Sequence, residues 1–337
     1  MIRMGEPNFC QLISVIIPYY QSERGLLRKC VESIFSQQGG FSIQVIVVDD
    51  ASPVPASEEL ANLQSKDRRL TIIAQDNAGP GAARNNGLDH MSHSTRYVAF
   101  LDSDDCWRED FLLHAMETMQ RGYDLFFANS RRVGFADTRF EWKSAAGLDL
   151  IASKHRFLGS ERPLYAFSGD FFGYAIKRSN IISTSALVYR LEIAPDLRFS
   201  TRLFNGQDRL FKLELSQKTD KVAFAALVLV DEGRGVNIFD SAAWGTPESL
   251  VLLTNYLKLS KCILAKLRLE HNHRAFVAKQ LTDTRYSLVA SIVHLLKTGQ
   301  KFDWRLVLRA SWSDPAFILM FVPNLLQVMM NKVRSRA

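Results

Sequence analysis

Cysteine is scarce in this chain: four residues in 337 (Cys10, Cys30, Cys106 and Cys262), with no CxxC pair. That excludes a zinc knot and a disulfide framework, and it fits a reducing compartment. No stretch reaches about 18 uninterrupted apolar residues, which argues against a standard membrane-spanning helix. The opening MIRMGEPNFCQ lacks the apolar centre of a signal peptide, so a cytoplasmic location is expected. There is no internal repeat and no low-complexity tract. Neither a Walker loop nor a GxGxxG fingerprint occurs, and no Ser-His-Asp or Cys-His pattern stands out. His271 and His273 are two apart, so on a helix they point to different faces and make poor joint ligands.

What is present is an ordinary globular composition, 47% apolar and 23% charged. The net charge of +7 is unevenly spread. Residues 1–240 hold 28 basic and 30 acidic side chains, whereas 241–337 hold 14 basic and 5 acidic. A basic tail on a neutral body suits a polyanionic partner or a solvated helical face. No RNP-like, zinc-finger or helix-turn-helix signature accompanies it, so nucleic acid is not expected.

The first 130 residues alternate short apolar runs with helical patterns. The runs are Ile13–Ile17, Val45–Val48, Leu70–Ala74, Tyr97–Leu101 and Leu125–Ala128, rich in β-branched residues and apolar on both faces. Strands covered by helices on both sides read this way. Helices are expected over about 25–38, 81–91 and 109–120. The β-α-β-α order implies an α/β fold with a mostly parallel sheet and helices on both faces, whose ligands bind at the carboxyl ends of the strands. Residues 131–240 are mixed, with strand candidates at Ala186–Tyr189 and Val222–Val230, and 247–298 read as helical.

Two of the strands run into acids. Val45–Val48 ends in Asp49-Asp50, and Tyr97–Leu101 ends in Asp102-Ser103-Asp104-Asp105. Adjacent like charges repel, so such clusters sit in water, cap helices or hold a cation. Mg2+ or Mn2+ takes one or two carboxylates together with substrate phosphates. The turn Asn77-Ala78-Gly79-Pro80-Gly81-Ala82-Ala83-Arg84-Asn85 feeds a helix, where free amides and Arg84 attract anions.

These segments together resemble the family 2 glycosyltransferases, which have the GT-A fold. The matching stretches are SVIIPYYQ from Ser14, VIVVDDAS from Val45, NAGPGAARNNGL from Asn77, FLDSDDCW from Phe100, ISTSALVYR from Ile182 and LFNGQDRLFKL from Leu203, spread over about residues 12–240. The resemblance implies a Rossmann-like domain with a nucleotide-sugar-binding part (1–130) and an acceptor-binding part (131–240); charge and pattern make 241–337 a basic helical C-terminal extension. The resemblance also implies an inverting transfer from a nucleotide-diphosphate sugar to a glycan or lipid-linked acceptor, assisted by Mn2+ or Mg2+, in cell-surface polysaccharide synthesis. By position, Pro18 and Tyr20 would line the nucleoside pocket, Asp50 would bond the base and Arg84 would lie near the nucleotide. Asp102 would contact the ribose or a metal-bound water, Asp104 would ligate the metal and Asp208 would be the catalytic base. Local sequence alone would read Asp208 as a helix N-cap. Arg234-Gly235 with Asn237 falls where the family often has a loop closing over the donor; a plain turn is the other reading. Two departures stand out: Gln207 precedes Asp208 where the family has Glu, and Gln21 replaces an Asn, a change expected to touch only a peripheral contact.

Residues 300–337 interleave Phe302, Trp304, Leu306 and Trp312 with Lys301, Arg305 and Arg309. After Pro315 come an apolar run, the interruption Pro323-Asn324, and a basic end. An interfacial helix on the anionic inner face of a membrane, a dimerisation pair and a helix packed on the core are the three readings. A sugar nucleotidyltransferase would need a basic glycine-rich loop where Pro18-Tyr19-Tyr20-Gln21-Ser22 stands. A non-catalytic scaffold of the same fold is the remaining alternative.

Overall fold

The structure is a computed structural model, and it describes residues 11–141, 149–159, 161–234 and 242–334. The elements run β1 (Leu12–Tyr19), α1 (Leu26–Phe35), β2 (Ser42–Asp49), the one-turn α2 (Ala56–Glu59) and α3 (Ala61–Gln64), β3 (Leu70–Ala74), α4 (Pro80–Asp89), β4 (Thr95–Phe100), β5 (Cys106–Trp107), α5 (Phe111–Gln120) and β6 (Leu125–Arg132). Then come β7 (Arg156–Phe157), β8 (Leu164–Ala166), α6 (Phe171–Lys177), β9 (Leu187–Arg190), α7 (Gln207–Ser216) and β10 (Val222–Glu232). Four helices follow: α8 (Pro247–Lys266), α9 (His271–Lys297), α10 (Trp304–Ser313) and α11 (Pro315–Arg334).

The chain divides into two compact units. One holds residues up to 201 together with 211–236; the other holds 202–210 and the chain from 237 on. The boundary expected at 130 falls inside β6, so residues on either side of it share one sheet.

In the first unit the sheet order is β3-β2-β1-β4-β9-β6-β10-β8-β7, with β5 pairing onto β10. The long ladders are parallel: β1 with β2 and β4, β2 with β3, and β6 with β10. Antiparallel β9 sits between β4 and β6. Two reversals restore direction, so β4, β6 and β10 all run the same way. Their carboxyl ends therefore lie along one edge of the sheet with those of β1 and β2.

Both faces of β1 are buried, as its unbroken apolar run requires. Ile13, Val15, Ile17 and Tyr19 pack with Leu27, Val31 and Ile34 of α1 and with Phe111 and Ala115 of α5. Ile16 faces the other way, toward Phe100, Phe127 and Tyr189. Helix α4 lies so close to β1 that a Cβ on Gly87 would stand 2.4 Å from the Ile16 side chain.

The second unit is helical. Leu250 and Leu257 of α8 pack with Leu281, Leu288, Val289, Ile292 and Leu295 of α9, and Ala310 of α10 and Phe317 of α11 join them. One face of the C-terminal segment thus packs on the helical core. Pro323, which breaks the apolar run, lies inside α11, and the helix continues through it. Proline costs a helix about 3 kcal/mol, and burial of Phe317 with partial burial of Phe321 and Leu325 against the same core offsets this. No single helix among the described residues is long and apolar enough to cross a membrane.

Candidate active site

Three parallel strands end in polar loops that tie to one another. β1 ends at Tyr19, whose hydroxyl donates to Glu59 Oε2 at 3.0 Å. Pro18 is a buried residue of β1, level with Val48, and Tyr20 beyond it is exposed. The buried Gln21 is more than a peripheral contact. Its backbone N–H donates to Ser52 Oγ at 2.9 Å, and its Nε2 donates to Ser103 Oγ at 3.2 Å. One residue, through its backbone and its side chain, therefore links the loops after β1, β2 and β4.

The acids after β2 divide their work. Asp49 accepts from the N–H groups of Ser52 (2.8 Å) and Ala56 (2.7 Å), so it caps its own loop and the start of α2. Asp50, 2% exposed, accepts from Ala78 N (2.8 Å), Gly79 N (2.8 Å) and Gln75 Nε2 (2.8 Å). Its carboxylate thus holds the turn that opens α4. The carbonyl of Asp50 accepts from Asn77 Nδ2 at 3.0 Å.

Arg84 projects from α4 and is 4% exposed. Its Nη2 donates to Asp102 Oδ1 at 2.5 Å. Its guanidinium lies 5.3 Å from the centre of the Phe199 ring. Nε and Nη1 are buried without a hydrogen-bond partner among the described residues. A buried cation with unused donors is costly unless an anion completes it.

The loop after β4 is clasped from several directions. Ser185 Oγ accepts from Asp102 N at 3.0 Å, and the Ser185 carbonyl accepts from Trp107 Nε1 at 2.6 Å. β5 then pairs Trp107 and Cys106 with Val230 and Asp231 of β10. Gly233 N donates to Asp105 Oδ1 at 2.7 Å. Gly233 also approaches the loop so closely that a Cβ there would stand 2.2 Å from the Asp104 carbonyl oxygen. Beneath the loop Glu232 is ion-paired with Arg139 and accepts from Ser130 Oγ at 2.6 Å. Burial pushes Glu232 up, but Arg139 and its other donors hold it below the usual carboxylate range. Arg234 is exposed, and Gly235 and Asn237 lie outside the described residues.

The acids of this loop strain against one another. Burial, and then the neighbouring Asp102, push Asp104 up to about 6; Glu232 adds to this and Arg132 opposes it. Burial, Asp102 and Asp104 push the buried Asp105 well above its ordinary value. Among the described residues no group of three His, Cys, Asp or Glu side chains could hold an ion by itself. Asp102 and Asp104 do offer hard oxygen ligands whose repulsion a divalent cation would relieve. Such an ion would draw its remaining ligands from water and a phosphate, as Mg2+ and Mn2+ do.

In the second unit Gly206 precedes α7 with φ +82, where a Cβ would stand 2.7 Å from the Leu259 side chain. Glycine is thus demanded there by both backbone and space. Asp208 follows in the first turn, half-buried, one place inside the helix after Gln207 rather than at the cap position. Arg209 is next, donating to Gln280 Oε1 at 3.2 Å. Burial lowers the Arg209 guanidinium, and Tyr256 and Asp208 oppose that. Burial also raises the Tyr256 hydroxyl.

Comparison with known proteins places the chain in a family. The family model described as glycosyl transferase family 2 matches residues 14–187, the span from β1 to the start of β9. This chain belongs to glycosyltransferase family 2. A succinoglycan biosynthesis protein of Rhizobium meliloti (strain 1021), ExoW, is 30% identical over 309 residues, covering 91% of this chain and 95% of the relative. Among solved structures, S. aureus TarS 1–349 in complex with UDP-GlcNAc aligns with a TM-score of 0.60 at 16% identity, over 96% of this chain and 92% of that one. Mannosyltransferase PcManGT from Pyrobaculum calidifontis, in complex with GDP-Man and Mn2+, aligns with a TM-score of 0.54 at 13% identity, over 99% and 90%. These structural likenesses establish the GT-A fold, with its mixed, mostly parallel sheet, and the family makes the protein a transferase.

Sequence reasoning placed Asp50, Arg84, Asp102 and Asp104 at strand and helix ends, and the first unit brings all four to its carboxyl edge. It missed Ser185 and Gly233, which bond the loop after β4, and read Gln21 as a peripheral contact only. Ser185 lies within the ISTSALVYR stretch, whose pattern alone does not single it out.

Proposed function

We propose that this family 2 glycosyltransferase moves a sugar from a nucleoside-diphosphate donor to an acceptor hydroxyl, with inversion at the anomeric carbon. The observation that carries the reading is Arg84: a buried guanidinium, paired with Asp102 and left with two unpartnered nitrogens, at the end of strands that run into acids. A diphosphate suits those free donors and the helix start beside them. Tyr20 would lie against the nucleoside, with Pro18 and Asp50 fixing the pocket behind it. Asp102 would meet the ribose or an ion-bound water. Asp104 would hold Mn2+ or Mg2+, which when bound supplies positive charge against the leaving diphosphate.

Transfer passes through an oxocarbenium-like state, so the sugar gains positive charge as the leaving group gains negative charge. Arg84 would stabilise the latter. Asp208 would take the acceptor's proton as its oxygen bonds to the anomeric carbon and the bond to the diphosphate breaks. A single displacement needs one base and no covalent nucleophile. Gln207, in place of the family's Glu, leaves that base in position and removes a charge beside it. UDP-GlcNAc in the TarS complex, and GDP-Man with Mn2+ in the PcManGT complex, support the donor class and the cation. ExoW, named for succinoglycan biosynthesis, supports a role in polysaccharide synthesis; a glycan or lipid-linked acceptor met at the cytoplasmic face of a membrane belongs to the same proposal.

The test is a thermal-unfolding panel of nucleotide sugars with and without Mn2+. Stabilisation follows donor occupancy, so one donor should raise the midpoint, and more so with Mn2+. A panel with no stabilising nucleotide sugar would refute the reading.

A further inference from the structure

The second unit carries a surface that the transfer chemistry does not use. In α11, Phe317, Phe321 and Leu325 point toward α8 and α9, but Ile318, Leu319, Val322, Leu326, Met329 and Met330 are exposed. At 100° per residue these six fall within an arc of about 120°, so they form one stripe along the helix. Leu319 is 78% exposed. Helix α10 adds Trp304, Leu308 and Trp312, spaced four apart on one side, with Trp312 at 88% exposure. Exposed apolar stripes of this length mark a contact surface.

Charge identifies the contact. Arg305 and Arg309 follow the α10 stripe one residue behind it, and with Lys258, Leu308, Trp312 and Ser313 they line an open hollow of about 570 Å3. Among the described residues none of these three cations is paired with a carboxylate. The one acid within 304–334, Asp314, is buried and bonded to Arg285 (2.6 Å) and Lys261 (3.3 Å), so it does not neutralise the face. That same cluster pins the elbow between α10 and α11, where the chain turns by 116°, onto α8 and α9. The stripes are therefore presented on a fixed frame.

We propose that α10 and α11 form a docking surface for an anionic phospholipid bilayer, the apolar stripes entering the headgroup boundary and Lys258, Arg305 and Arg309 receiving lipid phosphates beside Trp312. Apolar area and basic charge together supply the two signals that stable interfacial binding needs. The inference does not rest on the transfer chemistry.

The experiment is co-sedimentation of the full chain with vesicles of phosphatidylcholine alone, and of equal parts phosphatidylcholine and phosphatidylglycerol. The chain should bind the anionic vesicles and leave them when salt is raised. Arg305→Glu with Arg309→Glu should weaken partitioning on the order of thirty-fold or more. Leu319→Ser with Val322→Ser should weaken it about ten-fold or more. All four positions are exposed, and thermal unfolding with and without a nucleotide sugar confirms that each variant is folded and binds donor as before. Equal binding to both vesicle types, or charge reversal without effect, would overturn the proposal. So would a doubled solution mass that Leu319→Ser with Val322→Ser abolishes, which would make the stripe a self-association face. Donor binding is read separately, so failure here leaves the transfer reading standing.

Discussion

Replacing Gly233 by alanine adds one methyl group where the acidic loop meets β10. The new Cβ would stand 2.2 Å from the Asp104 carbonyl oxygen and 2.6 Å from Asp104 Oδ2. Backbone cannot yield as a flexible side chain does, so the loop must retreat by about 1 Å to restore an ordinary contact. That movement also lengthens the 2.7 Å bond from Gly233 N to Asp105 Oδ1. Overpacking of this kind costs about 1–3 kcal/mol, and a reacting group misplaced by about 1 Å costs about a hundred-fold in rate. Gly233→Ala should therefore lower the unfolding midpoint modestly and kcat/KM by about a hundred-fold, with Mn2+-dependent donor binding weakened in parallel. Calorimetry and initial rates read both effects. A variant with wild-type stability and rate would refute the claim that this approach positions Asp104.

Arg84→Met keeps length and removes the charge. It should weaken nucleotide diphosphate binding by about ten- to a hundred-fold, the value of one or two charge-assisted bonds. Stability should fall little, because the Asp102 side chain is 40% exposed and can turn to water; unchanged affinity by calorimetric titration would contradict the role. Asp104 predicts a pH dependence. A folded pKa raised to about 6 adds stability that is complete below the unfolded value near 4 and is lost as pH rises through about 6. Ionisation therefore costs the folded chain about 2–3 kcal/mol at neutral pH. Stability of wild type relative to Asp104→Asn should fall by that amount between about pH 4 and pH 7, and a flat difference would remove the coupling. Gln21→Leu should cut the tie to Ser103, raising KM for donor more than it lowers kcat, as measured by steady-state kinetics.

The central parallel strands were legible because they are buried on both faces and so read as apolar runs, and the edge strand β3, though Thr71 and Ala74 are exposed, keeps an apolar run of its own; β1 to β4 and β6 fall where those runs lie. β5, β7 and β8 span two or three residues, too few to show a period. β9 was visible as a strand, but its insertion between β4 and β6 comes from long-range pairing with no local signal. The same limit applies at the site. Acids that end strands announce themselves. The partners that hold them are far away in the chain: Ser185 bonds Asp102 and Gly233 bonds Asp105. Asp49 and Asp50 are neighbours with different tasks, one capping its own loop and the other holding the turn before α4, and nothing in the dipeptide separates them. In the C-terminal segment Pro323-Asn324 breaks the apolar run, and the packing of Phe317 on α8 and α9, which accompanies a helix running through that break, has no local signal.

The central claim is that donor binding and proton removal belong to different carboxylates. Its most direct test is to take the nucleotide sugar that stabilises the wild-type chain and measure its Mn2+-dependent binding, and its transfer to acceptor, in Asp104→Asn and Asp208→Asn. Asp104→Asn should lose the Mn2+-dependent part of binding. Asp208→Asn should bind donor nearly as wild type does and transfer nothing. Wild-type transfer by Asp208→Asn, or metal-dependent binding unchanged in Asp104→Asn, would contradict the account.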